Sequence, residues 1–164
     1  MPGKKRAGPD WPLLPIIVFA TAAVLVFLYA NFPFHPNSQP PNGGTAIVRI
    51  GGYSYNVLLA LNEQEWKTGL MNYTFSCSEP GLCNNGMLFV FPYNGSQCFW
   101  MKDTTEPLYQ VWISGNVVTS FYKATPESTN SVCSYGDKVL ELYSKLPLNL
   151  SIGENVSLGK VTQP

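Results

Sequence analysis

The chain has 164 residues, no formal net charge, and 45% hydrophobic against 12% charged side chains, which suits one membrane anchor and one compact domain. Three of its ten basic residues, Lys4, Lys5 and Arg6, precede the first apolar run, leaving seven basic and nine acidic residues from His35 onward. That small acidic excess argues against a nucleic-acid-binding face.

Residues 1–10 read as a basic cytoplasmic tail and 11–32 as a transmembrane signal-anchor helix. Leu13 to Ala30 is almost continuously apolar and spans about 27 Å at a helical rise of about 1.5 Å per residue. Pro12 and Pro15 fall in its first turn, where a missing amide donor is tolerated, and Trp11 and Tyr29 suit the two interfacial belts. No Lys or Arg follows until Arg49, so the positive-inside tendency places the amino terminus in the cytoplasm and the rest of this single-pass membrane protein outside the cell. A cleavable signal peptide ending near Tyr29-Ala30 is the competing reading, but the apolar stretch exceeds a usual signal core. Residues 33–44, rich in Pro, Asn, Gly and Ser, form a stiffened tether, and residues 45–164 form the exterior domain.

Within that domain, Ala46 to Ile50 and Tyr53 to Ala60 are β-rich runs separated by Gly51-Gly52, a hairpin signature. Asn62 is placed to cap a helix that begins at Glu63 and ends near Gly69, with Glu63 and Glu65 in its first turn and Trp66 and Leu70 on one buried face. Met87–Phe91, Gln97–Met101, Leu108–Ile113, Val117–Tyr122, Lys138–Tyr143 and Asn155–Val161 read as further strands, separated by Pro92-Tyr93-Asn94-Gly95, Ser114-Gly115-Asn116, Pro147 and Ile152-Gly153-Glu154. Such a run of short strands predicts a mainly β domain, a sandwich or open barrel with one short helix.

All four cysteines follow the anchor, and an even count in an exported domain favours disulfides. Three pairings are open; the favoured one joins Cys77 to Cys83 across a short loop, and Cys98 to Cys133 in a distant Ser/Asn-rich loop. A thiolate metal site has little support, since there is no Cys-X-X-Cys and the single histidine, His35, lies beside the membrane. Asn-X-Ser/Thr acceptors at Asn72, Asn94, Asn149 and Asn155 agree with an exterior, glycosylated domain.

Four segments stand in a fixed order that generic patterning does not require. They are Gly69-Leu70-Met71, Gly86-Met87-Leu88-Phe89, Phe99-Trp100-Met101-Lys102-Asp103-Thr104 with Pro107-Leu108, and Val139-Leu140-Glu141. Over roughly Thr45 to Gly159 the chain resembles the domain of unknown function 192 family, whose members read Arg-Gly-Leu-Met, Gly-Met-Leu-Phe, Phe-Trp-Met-Lys-Asn-Thr, Pro-Leu-Asp and Val-Leu-Glu. The resemblance implies a compact jelly-roll-like β fold with one helix, in an uncharacterised protein family. Thr68, Asp103 and Tyr109 depart from the family's Arg, Asn and Asp, and the last departure weakens any chemistry that needs that Asp.

The polar run after Phe99 and Trp100 sets the candidate chemistry. As a binding site, Trp100 offers a stacking face for a sugar ring or cation, with Lys102, Asp103, Thr104 and Glu141 as directional contacts. As a hydrolase acting on surface polysaccharide, Asp103 with Glu106 or Glu141 forms an acid and base pair. In the structural reading, Trp100 is core, Met101 fills a gap, and Lys102 with Asp103 is a weak ion pair. A catalytic triad has no available histidine in the domain and no Gly-X-Ser-X-Gly elbow, and no phosphate-cradling loop opens a helix. Met71, Met87 and Met101 are soft ligands suited to Cu(I), but each sits beside apolar residues where methionine commonly plugs a core. The sequence therefore predicts a cofactor-free binding or assembly module for an envelope glycan, small ligand or membrane-protein partner, with hydrolase and copper-protein alternatives.

Overall fold

The computed structural model describes residues 43–162. The expected tail, membrane helix and most of the tether lie outside these residues, and among the described residues no helix is long and apolar enough to cross a membrane. The described chain forms β1 (Thr45–Ile50), β2 (Tyr53–Ala60), α1 (Glu63–Thr68), β3 (Asn84–Phe99), β4 (Leu108–Ser114), β5 (Val117–Ala124), β6 (Val132–Tyr143) and β7 (Ser157–Thr162).

The opening hairpin and the helix form where the sequence places them. Ile50 pairs with Tyr53 across Gly51-Gly52, both of which have positive φ. Asn62 caps α1 by accepting a hydrogen bond from the Glu65 amide at 3.1 Å, while the Glu65 carboxylate reaches back to the Leu61 amide at 2.5 Å. This is a variant of the capping box, with the return bond made one residue earlier than usual. Gly69 ends the helix at φ 48°.

The strands make one sheet in the order β5-β4-β6-β3-β2-β1-β7, an open half-barrel rather than a two-sheet sandwich. Two links separate the structure from a plain antiparallel meander. β2 and β3 are parallel, joined by a crossover that contains α1 and the Cys77–Cys83 disulfide. Curvature then brings the segment before β7 to the opposite edge, where Val118 donates to the Glu154 carbonyl at 3.0 Å and Val156 donates to the Asn116 carbonyl at 2.8 Å. Tyr55 fixes the intervening loop from inside, donating its hydroxyl to the Pro147 carbonyl at 2.5 Å; burial pushes the Tyr55 phenol up to about 12.

Two predicted strands, Met87–Phe91 and Gln97–Met101, are one sixteen-residue strand, β3, with Met101 just beyond its end. The presumed turn at Pro92-Tyr93-Asn94-Gly95 is a bulge, where the register against β6 slips between Val90 and Gly95. A bulge leaves residues without a ladder partner, so Pro92 with no amide donor is tolerated there. For the same reason β6 begins earlier than predicted: Val132 and Cys133 lie in the strand, directly opposite Phe99 and Cys98, and not in a loop. The Cys98–Cys133 disulfide is thus a cross-strand staple, and both predicted pairings are present.

Cross-strand partners share a face of the sheet. Leu140 and Leu142 on β6 lie on the same face as Val111, Leu88, Leu59, Val57 and Tyr55, all buried. Glu141 and Val139 lie on the other face with Gln110, Trp112, Met87 and Phe89. The crossover segment covers this second face, since the Trp66 ring meets Phe91 at 5.0 Å and the backbone of Gly69 rests against the Phe89 ring.

Candidate functional site

The glycines of the resembling segments are explained by close approach. A Cβ on Gly86 would strike the Glu141 carbonyl oxygen, and one on Gly69, already at positive φ, would press on Phe89. Met87, Leu88 and Phe89 are buried core. Phe99 stands edge-on to Phe89, Phe91 and Trp112, with centroids 4.8, 6.4 and 6.2 Å away. The Trp112 indole donates to the Gln97 carbonyl at 2.8 Å. An aromatic floor therefore lies under the polar loop that follows β3.

That loop is held in an uncommon conformation. Asp103 has φ 54°, Asn72 φ 57° and Glu127 φ 61°, the non-glycine residues with positive φ among the described residues. They sit in three loops that interlock: the Asn72 amide donates to the Asp103 carbonyl at 2.7 Å, the Glu127 amide to the Thr104 carbonyl at 3.0 Å, and the Met101 amide to the Ser128 carbonyl at 2.9 Å. Asn and Asp tolerate this left-handed region best among non-glycine residues, which gives a conformational reason for Asp103 where the family favours Asn. Strain of this kind gathers at binding and catalytic sites.

Trp100 is 45% exposed, so it is not a core residue, and the Lys102 ammonium lies 5.7 Å from its ring centroid. Trp100 and Phe99 border two depressions. The larger, about 370 Å³, is walled by Gln110, Tyr122, Glu127, Ser128 and Asn130. The smaller, about 30 Å³, is lined by Trp66, Lys67, Thr68, Phe89, Lys102, Thr104 and Glu141. Glu141 is 4% exposed; its Oε1 accepts from Gln110 Nε2 at 3.0 Å. Burial raises the Glu141 carboxyl from 4.5 to about 7, and the Gln110 bond offsets this only in part.

The structure thus brings Trp100, Lys102, Thr104 and Glu141 to one small depression. Asp103 does not line it; its carboxylate lies outside, 3.8 Å from Lys102, in an exposed pair. Glu106 does not line it either and acts instead on Lys145, whose ammonium is held above its ordinary pKa first by Tyr143 and to a smaller extent by Glu106. Met71 lines the small depression, Met101 the large one, and Met87 is fully buried, so neither depression brings the three thioethers together. Among the described residues no group of His, Cys, Asp or Glu is placed to hold a metal ion. Asn72, Asn94, Asn149 and Asn155 are all exposed.

Sequence reasoning missed Gln110, Trp66 and the 125–130 wall of the larger depression. Gln110 carried a signal, as the one amide within the otherwise apolar and aromatic run Leu108–Ile113. The wall carried none, because it is brought there by backbone bonds to Met101 and Thr104.

A half-barrel with one crossover helix and a buried acid beneath an exposed indole defines a small β domain with a recessed polar site. The chain belongs to the DUF192 family, described as Uncharacterized ACR, whose model matches residues 46–158. A crystal structure from Sinorhizobium meliloti 1021, provisionally described as a transcription regulator, is 24% identical and superposes with a TM-score of 0.58, covering 71% of this chain and 95% of that one. A protein of unknown function from Novosphingobium aromaticivorans DSM 12444 is 23% identical, with a TM-score of 0.61 over 75% of this chain and 89% of its own. At these identities both likenesses concern the fold. No curated protein matches the chain.

Proposed function

We propose that the chain is a membrane-anchored, outward-facing binding module whose domain takes an envelope glycan at the Trp100 face. The observation that carries this reading is the exposed indole standing between two depressions, with Lys102, Thr104, Ser128, Asn130 and Glu127 around it. An aromatic platform ringed by hydrogen-bonding groups is the arrangement a sugar ring needs: an apolar face to stack on and polar edges to read its hydroxyls. The larger depression has room for a small-ligand ring system. An exterior location is supported by the basic-then-apolar amino terminus, by two disulfides and by four exposed glycosylation acceptors.

A second reading, an envelope hydrolase acting on surface polysaccharide, draws on one observation: a buried carboxyl that titrates near 7 is suited to donate a proton. It requires a second carboxylate across the bond, and neither Asp103 nor Glu106 lines the small depression with Glu141. Binding is therefore the stronger reading.

Quenching of tryptophan fluorescence by neutral oligosaccharides, in the full chain extracted in detergent, tests it. Because Trp100 is half-exposed, Trp100→Ala retains the fold and loses the quenching and the binding together. Binding that survives in Trp100→Ala with undiminished affinity would refute the assignment of the site.

A further inference from the structure

The small depression has a chemistry of its own. Four aromatic residues, Trp66, Phe89, Phe99 and Trp100, and one acid, Glu141, line it. A recess of about 30 Å³ admits a group the size of a water or an ammonium head and excludes a ring. Glu141 is more than nine-tenths buried and its Oε1 accepts from Gln110. Oε2 takes no hydrogen bond from the described residues yet is not sealed in, the one buried side-chain polar atom without a partner among them being Gln97 Nε2, so Oε2 keeps access to the recess. An acceptor oxygen left free at the wall of a recess is available to a donor or cation that enters it. Aromatic rings present negative faces to cations, and a carboxylate in the same recess adds a full counter-charge. The chain itself uses one of these rings in that way at the rim, where the Lys102 ammonium lies over Trp100.

We propose that this recess binds the primary ammonium group of a ligand, with Glu141 as its counter-ion and the aromatic rings as its walls. The inference rests on the glycan-binding reading and narrows its ligand to an amine-bearing sugar, whose ring occupies the larger depression while its amine enters the smaller. Charge balances by exchange. In the empty recess burial keeps Glu141 largely protonated up to about pH 7; as the cation enters, the carboxyl gives one proton to solvent and the site remains neutral overall. Binding therefore strengthens as pH rises through the titration of Glu141.

Other groups facing Glu141 modulate this without supplying a rival counter-ion. Lys67 from α1 and Lys102 from the loop after β3 line the recess, β4 presents the neutral Gln110, and β3 presents Met87 and Phe89. Both lysines oppose a cation, but their side chains are 73% and 50% exposed and lie 3.5 Å from Glu63 and 3.8 Å from Asp103. Solvent and those carboxylates weaken the repulsion.

The test uses methylammonium chloride as the probe, since it stays charged across the range. The full chain, labelled with ¹³C at the glutamate carboxyls and with Glu141 assigned by its loss in Glu141→Gln, is titrated with acid in methylammonium chloride and in sodium chloride of equal ionic strength. The expected result is a Glu141 midpoint lower in methylammonium by about one pH unit, a tenfold preference of the cation for the ionised site. Identical midpoints in the two salts would overturn the inference. As a second measurement, methylammonium at about pH 8 perturbs tryptophan fluorescence in the wild type at least tenfold more tightly than in Glu141→Gln; equal affinity also overturns it. The two readings separate cleanly. Neutral oligosaccharide binding without a methylammonium effect removes only the ammonium site, whereas a methylammonium effect with no binding of either neutral or amine-bearing oligosaccharides upholds that site and removes the glycan reading.

Discussion

The two faces of strand β6 are built for different ends. Leu140 and Leu142 point into the half-barrel, where they meet aliphatic side chains of β2, β3 and β4, and every neighbour named there is apolar apart from the hydroxyl of Tyr55, which is itself hydrogen-bonded. One residue away, Glu141 points to the opposite face, where it is nearly as buried but lines the small depression, with only Oε1 hydrogen-bonded. Both residues are largely buried, so fractional exposure alone does not separate them. What separates them is chemistry: one face is closed by apolar side chains and the other holds an ionisable group at the wall of a recess. A charge is costly to bury, so an acid kept at the wall of a recess is available to recognise a cation that enters it.

The largest break in this comparison comes from the inner face. Leu140→Ala removes a fully buried side chain and should lower stability by about 2 to 5 kcal/mol, read from urea unfolding of the full chain. A loss below about 1 kcal/mol would mean that the inner face is not the main core. The cross-strand disulfide follows. It closes a separation of 35 residues, and replacing both Cys98 and Cys133 by serine should cost about 3 to 4 kcal/mol through the freed unfolded chain. Because Phe99 and Val132, the adjacent pair, line the larger depression, the same variant should also weaken oligosaccharide binding, whereas Leu140→Ala should leave binding unchanged wherever the protein remains folded.

Smaller effects sharpen the polar face. Asp103→Ala places a β-carbon-bearing residue with no polar side chain at φ 54° and should cost about 1 to 2 kcal/mol, while Asp103→Asn should be nearly neutral. That contrast identifies backbone conformation, and not the exposed pair with Lys102, as the reason for the residue. Equal losses in both variants would favour the ion pair instead.

Much of the fold was legible because local chemistry determined it. Gly51-Gly52 marked a hairpin, Asn62 and Glu65 marked a helix start, and Gly69 its end, each through a bond or dihedral that the structure contains. The single sheet was not legible. Its parallel β2–β3 pairing and the bulge inside β3 depend on which strands meet across the crossover, and no local signal encodes that. In the site, Trp100, Lys102, Thr104 and Glu141 were named from the sequence because unlike residues stood together in order. Gln110 and Trp66 were not, since their relevance comes from register: Gln110 lies directly opposite Glu141, and Trp66 reaches the recess only because α1 packs over β3. Asp103 and Glu106, close to Trp100 in the chain, lie outside the recess for the complementary reason, that the loop turns at Asp103.

The most direct test of the contrast between the faces is the pH dependence of stability in the wild type and Glu141→Gln. The folded carboxyl titrates near 7 and the free one at 4.5, so the native state holds the extra proton between these values. The stability it contributes is fully present below about 4.5 and is lost as pH rises through about 7, a change of about 3 kcal/mol. The account predicts that urea midpoints of the wild type fall across this window, that those of Glu141→Gln fall less, and that the variant is the more stable protein at about pH 8. Parallel pH profiles for the two proteins would contradict it, because Glu141 would then titrate alike in the folded and unfolded chain and the two faces of β6 would not differ in kind.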